Sequence, residues 1–191
     1  MKRVLVSLIC VCLTFAAWAQ NDDFVQYQLD NGLTVYLWED HDQPDVQGWT
    51  VTRAGSIDEP ADATGLAHYL EHMLFKGTDR IGALDWAKEK PLYEQIIALY
   101  DTLALTTDDK AREAVQQRIN EVSREAAQYA ATDEFSNLIQ GIGGEGLNAF
   151  TSYDVTCYMN SFPSYQMERW LTLYADRLTN PVFRSFQAEL E

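Results

Sequence analysis

From about Leu84 to Ala130 the apolar residues recur every three or four positions, whereas in the stretches 25–38 and 152–160 they recur every second one. A chain that changes period in this way cannot be all-helical or all-strand. In "VQYQLDNGLTVYLWED", Val25, Tyr27 and Leu29 alternate with polar residues, Asp30-Asn31-Gly32 supplies a turn, and Leu33 to Trp38 returns, which predicts a hairpin. Val46 to Arg53 predicts a third strand ending at Gly55. Within 84–130, Leu92, Ile96, Leu99 and Leu103 form one stripe, and Val115, Ile119, Val122, Ala126 and Tyr129 form another, with Thr106 or Thr107 between as a cap. This reads as a helical hairpin whose stripes serve either as core or as a partner-binding face, with core favoured. A polar stretch then leads to a half-buried strand in which Tyr153, Val155, Cys157 and Met159 alternate with Ser152, Asp154, Thr156 and Asn160. "SYQMERWLTLYADRLTNPVF" predicts an amphipathic helix closed by Asn180-Pro181, and Ser185 to Glu191 the first turns of another. Hairpin strands mixed with helices, without regular strand-helix alternation, define an α+β fold: an antiparallel sheet with helices packed on one face.

The first twenty residues stand apart. Lys2 and Arg3 precede an almost uncharged run, Val4 to Ala17, and Ala17-Trp18-Ala19 gives the small-x-small pattern of a cleavage site, so residues 1–19 read as a signal peptide. About fourteen apolar residues fall short of the ~20 that a spanning helix needs. The chain is therefore expected to be exported, periplasmic or extracellular, and to meet a membrane only during export. Removing Lys2 and Arg3 from 14 basic residues and none from 29 acidic ones leaves 12 − 29 = −17. That balance excludes nucleic acid, whose phosphates need a positive surface. It either draws in cationic peptides or divalent metal, or keeps an exported chain soluble. Cys10 and Cys12 lie in the signal, and Cys157 alone makes no intramolecular disulfide.

"EPADATGLAHYLEHMLFKGT" predicts a helix with Thr64 as N-cap and Gly77 as its stop. It places two of the three histidines one turn apart around a glutamate. At 100° per residue Leu66, Leu70, Met73 and Leu74 form an apolar quarter, with His68, Glu71 and His72 opposite. Imidazoles four residues apart present two nitrogens to one point, which suits a tetrahedral zinc ion, while Glu71 stays free to move protons. The pattern fits metal-assisted hydrolysis, in which Glu71 acts on a zinc-bound water. Two other signals are set aside. Gly141, Gly143 and Gly146 match G-x-G-x-x-G but precede a strand instead of following one. His41 lies among Asp40, Asp42 and Asp45, as a solvated loop does.

The stretch Gly55 to Thr78 closely resembles the active-site segment of the pitrilysin and insulin-degrading-enzyme (insulinase) family, inverzincin metallopeptidases with H-x-x-E-H. "LDNGLTVYL", "GLNAFTSYDVTCY" and "ADRLTNPVF" are similar to the same family's amino-terminal domain, so the resemblance covers nearly all of residues 20–191. It implies a zinc metalloendopeptidase fold of the pitrilysin and mitochondrial processing peptidase type, incomplete within this sequence. By position it makes His68 and His72 zinc ligands and Glu71 the catalytic base. Asn148 and Ala149 match the N-A-x-T segment, whose strand edge pairs with an extended peptide or small-protein substrate; Asn148 reads equally well as an ordinary strand-start residue. The family's third ligand is a glutamate seven residues beyond an earlier one on the same helix. Glu191 matches the earlier one, which would orient a ligand from behind, and this places the third ligand past residue 191. The family's second, homologous domain is the implied partner. A non-catalytic peptide-binding or assembly subunit of the same fold is the alternative.

Overall fold

The computed structural model describes residues 24–190, so the signal-peptide segment 1–19 and Glu191 lie outside the described residues. The chain divides into two units, 1–44 and 45–191. In the first, β1 (Phe24–Gln28) and β2 (Thr34–Trp38) form an antiparallel hairpin with Phe24 opposite Trp38 and Gln28 opposite Thr34. The turn closes through Gly32 N–H donating to Leu29 O at 2.9 Å. Phe24 stacks on Tyr36 and meets Trp38 edge-on, the cross-strand aromatic pairing that holds a short hairpin together.

In the second unit β3 (Asp45–Thr52), β5 (Thr156–Pro163) and β4 (Glu145–Thr151) form one antiparallel sheet in the order β3-β5-β4. The period-2 side chains sort cleanly. Tyr158, Asn160 and Phe162 of the central strand are buried on one face, whereas Trp49, Val51 and Phe150 are exposed on the other. Helices α4 (Glu134–Gly141) and α5 (Met167–Thr179) cover the first face, where Phe135, Ile139, Tyr158, Phe162, Trp170 and Tyr174 form the core. Asn160 is the polar pin of that core: its Oδ1 accepts from Trp170 Nε1 at 2.9 Å and from Tyr174 Oη at 2.7 Å. The central strand starts later than the alternation predicts, because residues 152–155 form the β4–β5 turn, with Ser152 N–H donating to Val155 O. Helix α4, read as a polar stretch in the sequence, is fixed by burial of Phe135 and Ile139 one turn apart.

Helices α2 (Trp86–Leu105) and α3 (Asp109–Ala126) make the helical hairpin. Ile119 and Val122 are fully buried, and Leu92, Ile96, Leu99 and Leu103 are half-buried. Asp108, not Thr106 or Thr107, caps α3: its carboxylate accepts from Ala111 N–H, and its charge complements the helix dipole as a hydroxyl cannot. No described helix is long and apolar enough to cross a membrane.

Arg177 is fully buried in a cage of rings, its guanidinium carbon 4.5 Å from the ring centroid of Phe75, 4.3 Å from Phe135, 4.4 Å from Tyr158 and 5.2 Å from Tyr174. Burial pushes this guanidinium down to about 10. Asp176, beside it in sequence, accepts from Thr78 Oγ1 at 2.8 Å, Arg80 Nη2 at 2.5 Å and Asn180 Nδ2 at 3.0 Å. Burial alone would raise its carboxyl, but hydrogen bonds from Asn180, Arg80 and Thr78, with the charge of Arg80, hold it below 3.8. A depressed folded-state value contributes stability above the unfolded value and loses it as pH falls through the folded one. Asp176→Asn is therefore expected to flatten the acid limb. Between pH 5 and pH 2.5 the urea midpoint of the parent should fall further than that of the variant, measured by circular dichroism.

Candidate active site

Helix α1 (Leu66–Met73) carries the histidines, and its start differs from the sequence expectation. Thr64 does not cap it. Gly65, in the left-handed region, is the N-cap, and the carboxylate of Glu59 accepts from Gly65 N–H and Ala67 N–H, both at 2.8 Å. A charged acceptor reaching forward to two amides satisfies more donors than one hydroxyl does. The predicted apolar quarter holds only in part. Met73 and Leu74 are buried, whereas Leu66 and Leu70 are 50% and 43% exposed. Glu71 is 6% exposed, whereas His68 and His72 on either side of it are exposed.

The loop after α1 is fastened to the rest of the unit by Arg184. Its Nη1 donates to the carbonyls of Lys76 at 2.6 Å and Ile81 at 3.0 Å, and its Nη2 to that of Thr78 at 2.7 Å. Its Nε reaches Glu89 Oε1 at 2.8 Å and its Nη2 Glu89 Oε2 at 3.2 Å, so every guanidinium nitrogen is used. The loop admits this side chain because Gly77 and Gly82 have φ of +95° and +83°. A Cβ at Gly77 would stand 2.1 Å from Ile81 O, and one at Gly82 2.7 Å from Arg184 Nη1.

His68 Nε2 and His72 Nε2 lie 3.1 Å apart. Ligating atoms of His68, Glu71 and His72 all fall within 4.8 Å of one another, the one such group among the described residues. Two nitrogens bound tetrahedrally at ~2.0 to 2.1 Å are separated by roughly 3.3 to 3.4 Å, so this pair fits zinc with a small adjustment. The tautomer fits too. His72 Nδ1 donates to Glu189 Oε1 at 2.6 Å, which leaves the Nε2 lone pair free. Glu189, on α6 (Phe186–Leu190), also takes Lys76 Nζ at 2.5 Å. Hydrogen bonds from Lys76 and then His72 hold its carboxyl below the ordinary value against partial burial.

Glu71 Oε2 accepts from Thr151 Oγ1 at 2.7 Å, across from β4. Tyr69 anchors α6 against α1 by donating to Phe186 O at 2.5 Å, and burial, then Tyr100 and Glu189, push its phenol up to about 12. A cleft of about 500 Å³ opens beside the histidines, lined among others by Gly65, His68, Tyr69, His72, Phe186 and Glu189.

The structure thus brings His68, Glu71 and His72 together. Asn148 and Ala149 lie in β4, opposite Met159 and Tyr158. Glu191 lies outside the described residues. Glu189, two positions earlier in the same "AELE", is the carboxylate that holds His72. Sequence reasoning passed over Glu189 and Thr151, although both stood in segments already singled out.

The structure is thus an antiparallel α+β domain that carries H-x-x-E-H on a helix beside the sheet. The family model of the insulinase family, peptidase family M16, matches residues 34–89 of the chain. The chain is 24% identical over 183 residues to the probable zinc protease PqqL of Escherichia coli, a match covering 94% of this chain and 15% of PqqL. Among solved structures its fold is similar to that of a protease from Helicobacter pylori, with TM-score 0.57 and 20% identity, covering 87% of this chain and 28% of that one. The first half of the periplasmic protease PqqL from Escherichia coli matches with TM-score 0.54 and 20% identity over 85% of this chain and 26% of that one. The chain thus spans about a seventh of the curated relative.

Proposed function

We propose that this chain carries the hydrolytic centre of an exported zinc metalloendopeptidase, with His68 and His72 as metal ligands and Glu71 as general base. The observation that supports this reading best is the 3.1 Å approach of two imidazole nitrogens, one of them freed by a carboxylate behind its ring. Zinc, when bound, would supply a Lewis acid that acidifies water and polarises the scissile carbonyl. Glu71 then takes a proton from the attacking water and returns it to the leaving amine as the C–N bond breaks. Its burial and its bond to Thr151 favour a fixed, water-excluded carboxylate for that task. Strand β4 lies at an edge of its sheet, and an extended peptide or small protein paired there along Asn148 and Ala149 would be held by main-chain bonds with little regard to sequence. The signal-like residues 1–19 and the likeness to a periplasmic protease support export. A second homologous domain or subunit is the partner this reading implies.

A non-catalytic peptide-binding subunit is the competing reading, and one observation favours it. Glu189 faces Nδ1 of His72 instead of the Nε2 pair, so among the described residues only two nitrogens converge. The test is to measure zinc per chain and cleavage of a quenched fluorescent peptide for the parent and for Glu71→Gln. We expect zinc in both and at least a ~100-fold loss of cleavage in the variant. Equal cleavage by the two proteins excludes Glu71 as the base. Peptide binding without cleavage by the zinc-loaded parent establishes the subunit reading.

A further inference from the structure

Glu71 is a buried carboxylate with one oxygen in a short hydrogen bond to a hydroxyl, and that hydroxyl is itself supported from behind. Thr151 is the last residue of β4 and Thr156 the first of β5, opposite each other across the turn at 152–155. Thr156 Oγ1 donates to Ala54 O at 2.9 Å, so its single proton is committed to the chain leaving β3. Its lone pairs then face Thr151 Oγ1, 3.4 Å away. Thr151 has one proton and two acceptors in reach, a neutral hydroxyl at 3.4 Å and a carboxylate at 2.7 Å. The carboxylate, shorter and charged, takes it.

The turn carrying this pair is held in turn. Ser56 N–H donates to Ser152 O at 3.0 Å and Ile57 N–H to Tyr153 O at 2.8 Å, while Gly55 N–H is capped by Asp58 Oδ2 at 3.1 Å. A Cβ at Gly55 would stand 2.5 Å from Ser152 O, so the two segments are in direct backbone contact. The frame 55–58, the turn 152–155 and the two threonines therefore form a rigid support beneath one carboxylate oxygen.

Resting on the peptidase reading for its catalytic consequence, we propose that Thr151, backed by Thr156, is a positioning residue that fixes the side-chain rotamer of Glu71 beside the two imidazoles. Without the hydroxyl, the carboxylate loses its anchor and samples orientations that do not face the reacting water. Thr151→Val keeps the shape and removes the bond; Thr151→Ser keeps the bond.

Two readouts test this on the full chain. In protein labelled with ¹³C at the glutamate carboxyl carbon, the Glu71 signal is the one that vanishes in Glu71→Gln. It should move in Thr151→Val and return in Thr151→Ser, whether or not any peptide is cut. On the cleavage side, Thr151→Val should lower kcat roughly 10- to 30-fold with KM within about twofold and zinc content unchanged, and Thr151→Ser should recover most of it. In a Glu71→Gln background the valine should have no further effect. An unmoved Glu71 signal in Thr151→Val overturns the proposal, as does a loss of kcat matched by loss of zinc. A parent that cuts no peptide counts against the peptidase reading alone, and the carboxyl signal still decides whether Thr151 holds Glu71.

Discussion

Arg184→Met should cost about 3 to 5 kcal/mol of unfolding free energy, the largest single-residue loss of stability expected. The residues are 6% and 1% exposed for Arg184 and Glu89, so truncation of the arginine leaves an ionised carboxylate buried without a counter-charge. It also orphans the carbonyls of Lys76, Thr78 and Ile81, each of which lost its water on folding. Lysine is no substitute, because one ammonium cannot reach three carbonyls and both carboxylate oxygens from a single point. The double variant Arg184→Met/Glu89→Leu should recover part of the loss by removing the stranded charge, leaving the carbonyl deficit. Urea denaturation of the parent, the single variant and the double variant measures both. A single variant as stable as the parent would show that the clamp is dispensable.

The second large effect concerns metal. His68→Ala and His72→Ala should each bring zinc content after dialysis to near zero, because a site that keeps one imidazole holds zinc no better than an exposed surface histidine. Inductively coupled plasma analysis of the dialysed chain is the measurement. Their effect on folding should be small, since both histidines are exposed. A His72→Ala chain that retained stoichiometric zinc would place the metal elsewhere.

How much of this was legible in the sequence depends on how local the cause was. The hairpin, the α2–α3 stripes and helix α5 follow from periodicity, which acts over a few residues and is written in the chain. The convergence of His68 and His72 is equally local, one turn of one helix. The caps were misassigned for a physical reason. Glu59 reaches forward six and eight residues to its amides, beyond the one-to-three-residue spacing that capping rules describe. Leu66 and Leu70 look like core from the helical wheel, but which side of a helix meets the sheet is decided by tertiary contacts, and these buried Glu71 instead. Thr151 and Glu189 acquire meaning only when β4 and α6 arrive beside α1, so no spacing rule announces them. The family resemblance drew attention to the N-A-x-T segment and to Glu191, neither of which periodicity singles out.

The bonds that complete the site join residues far apart along the backbone: 80 positions separate Glu71 from Thr151, and 117 separate His72 from Glu189. Closing loops of that size is slow, and contacts of such long range form late in folding. A newly made polypeptide would therefore pass through its early, still-collapsing forms with the histidine helix present but unsupported. That ordering leaves the trio without its supports until nearly all of the described chain has condensed around it.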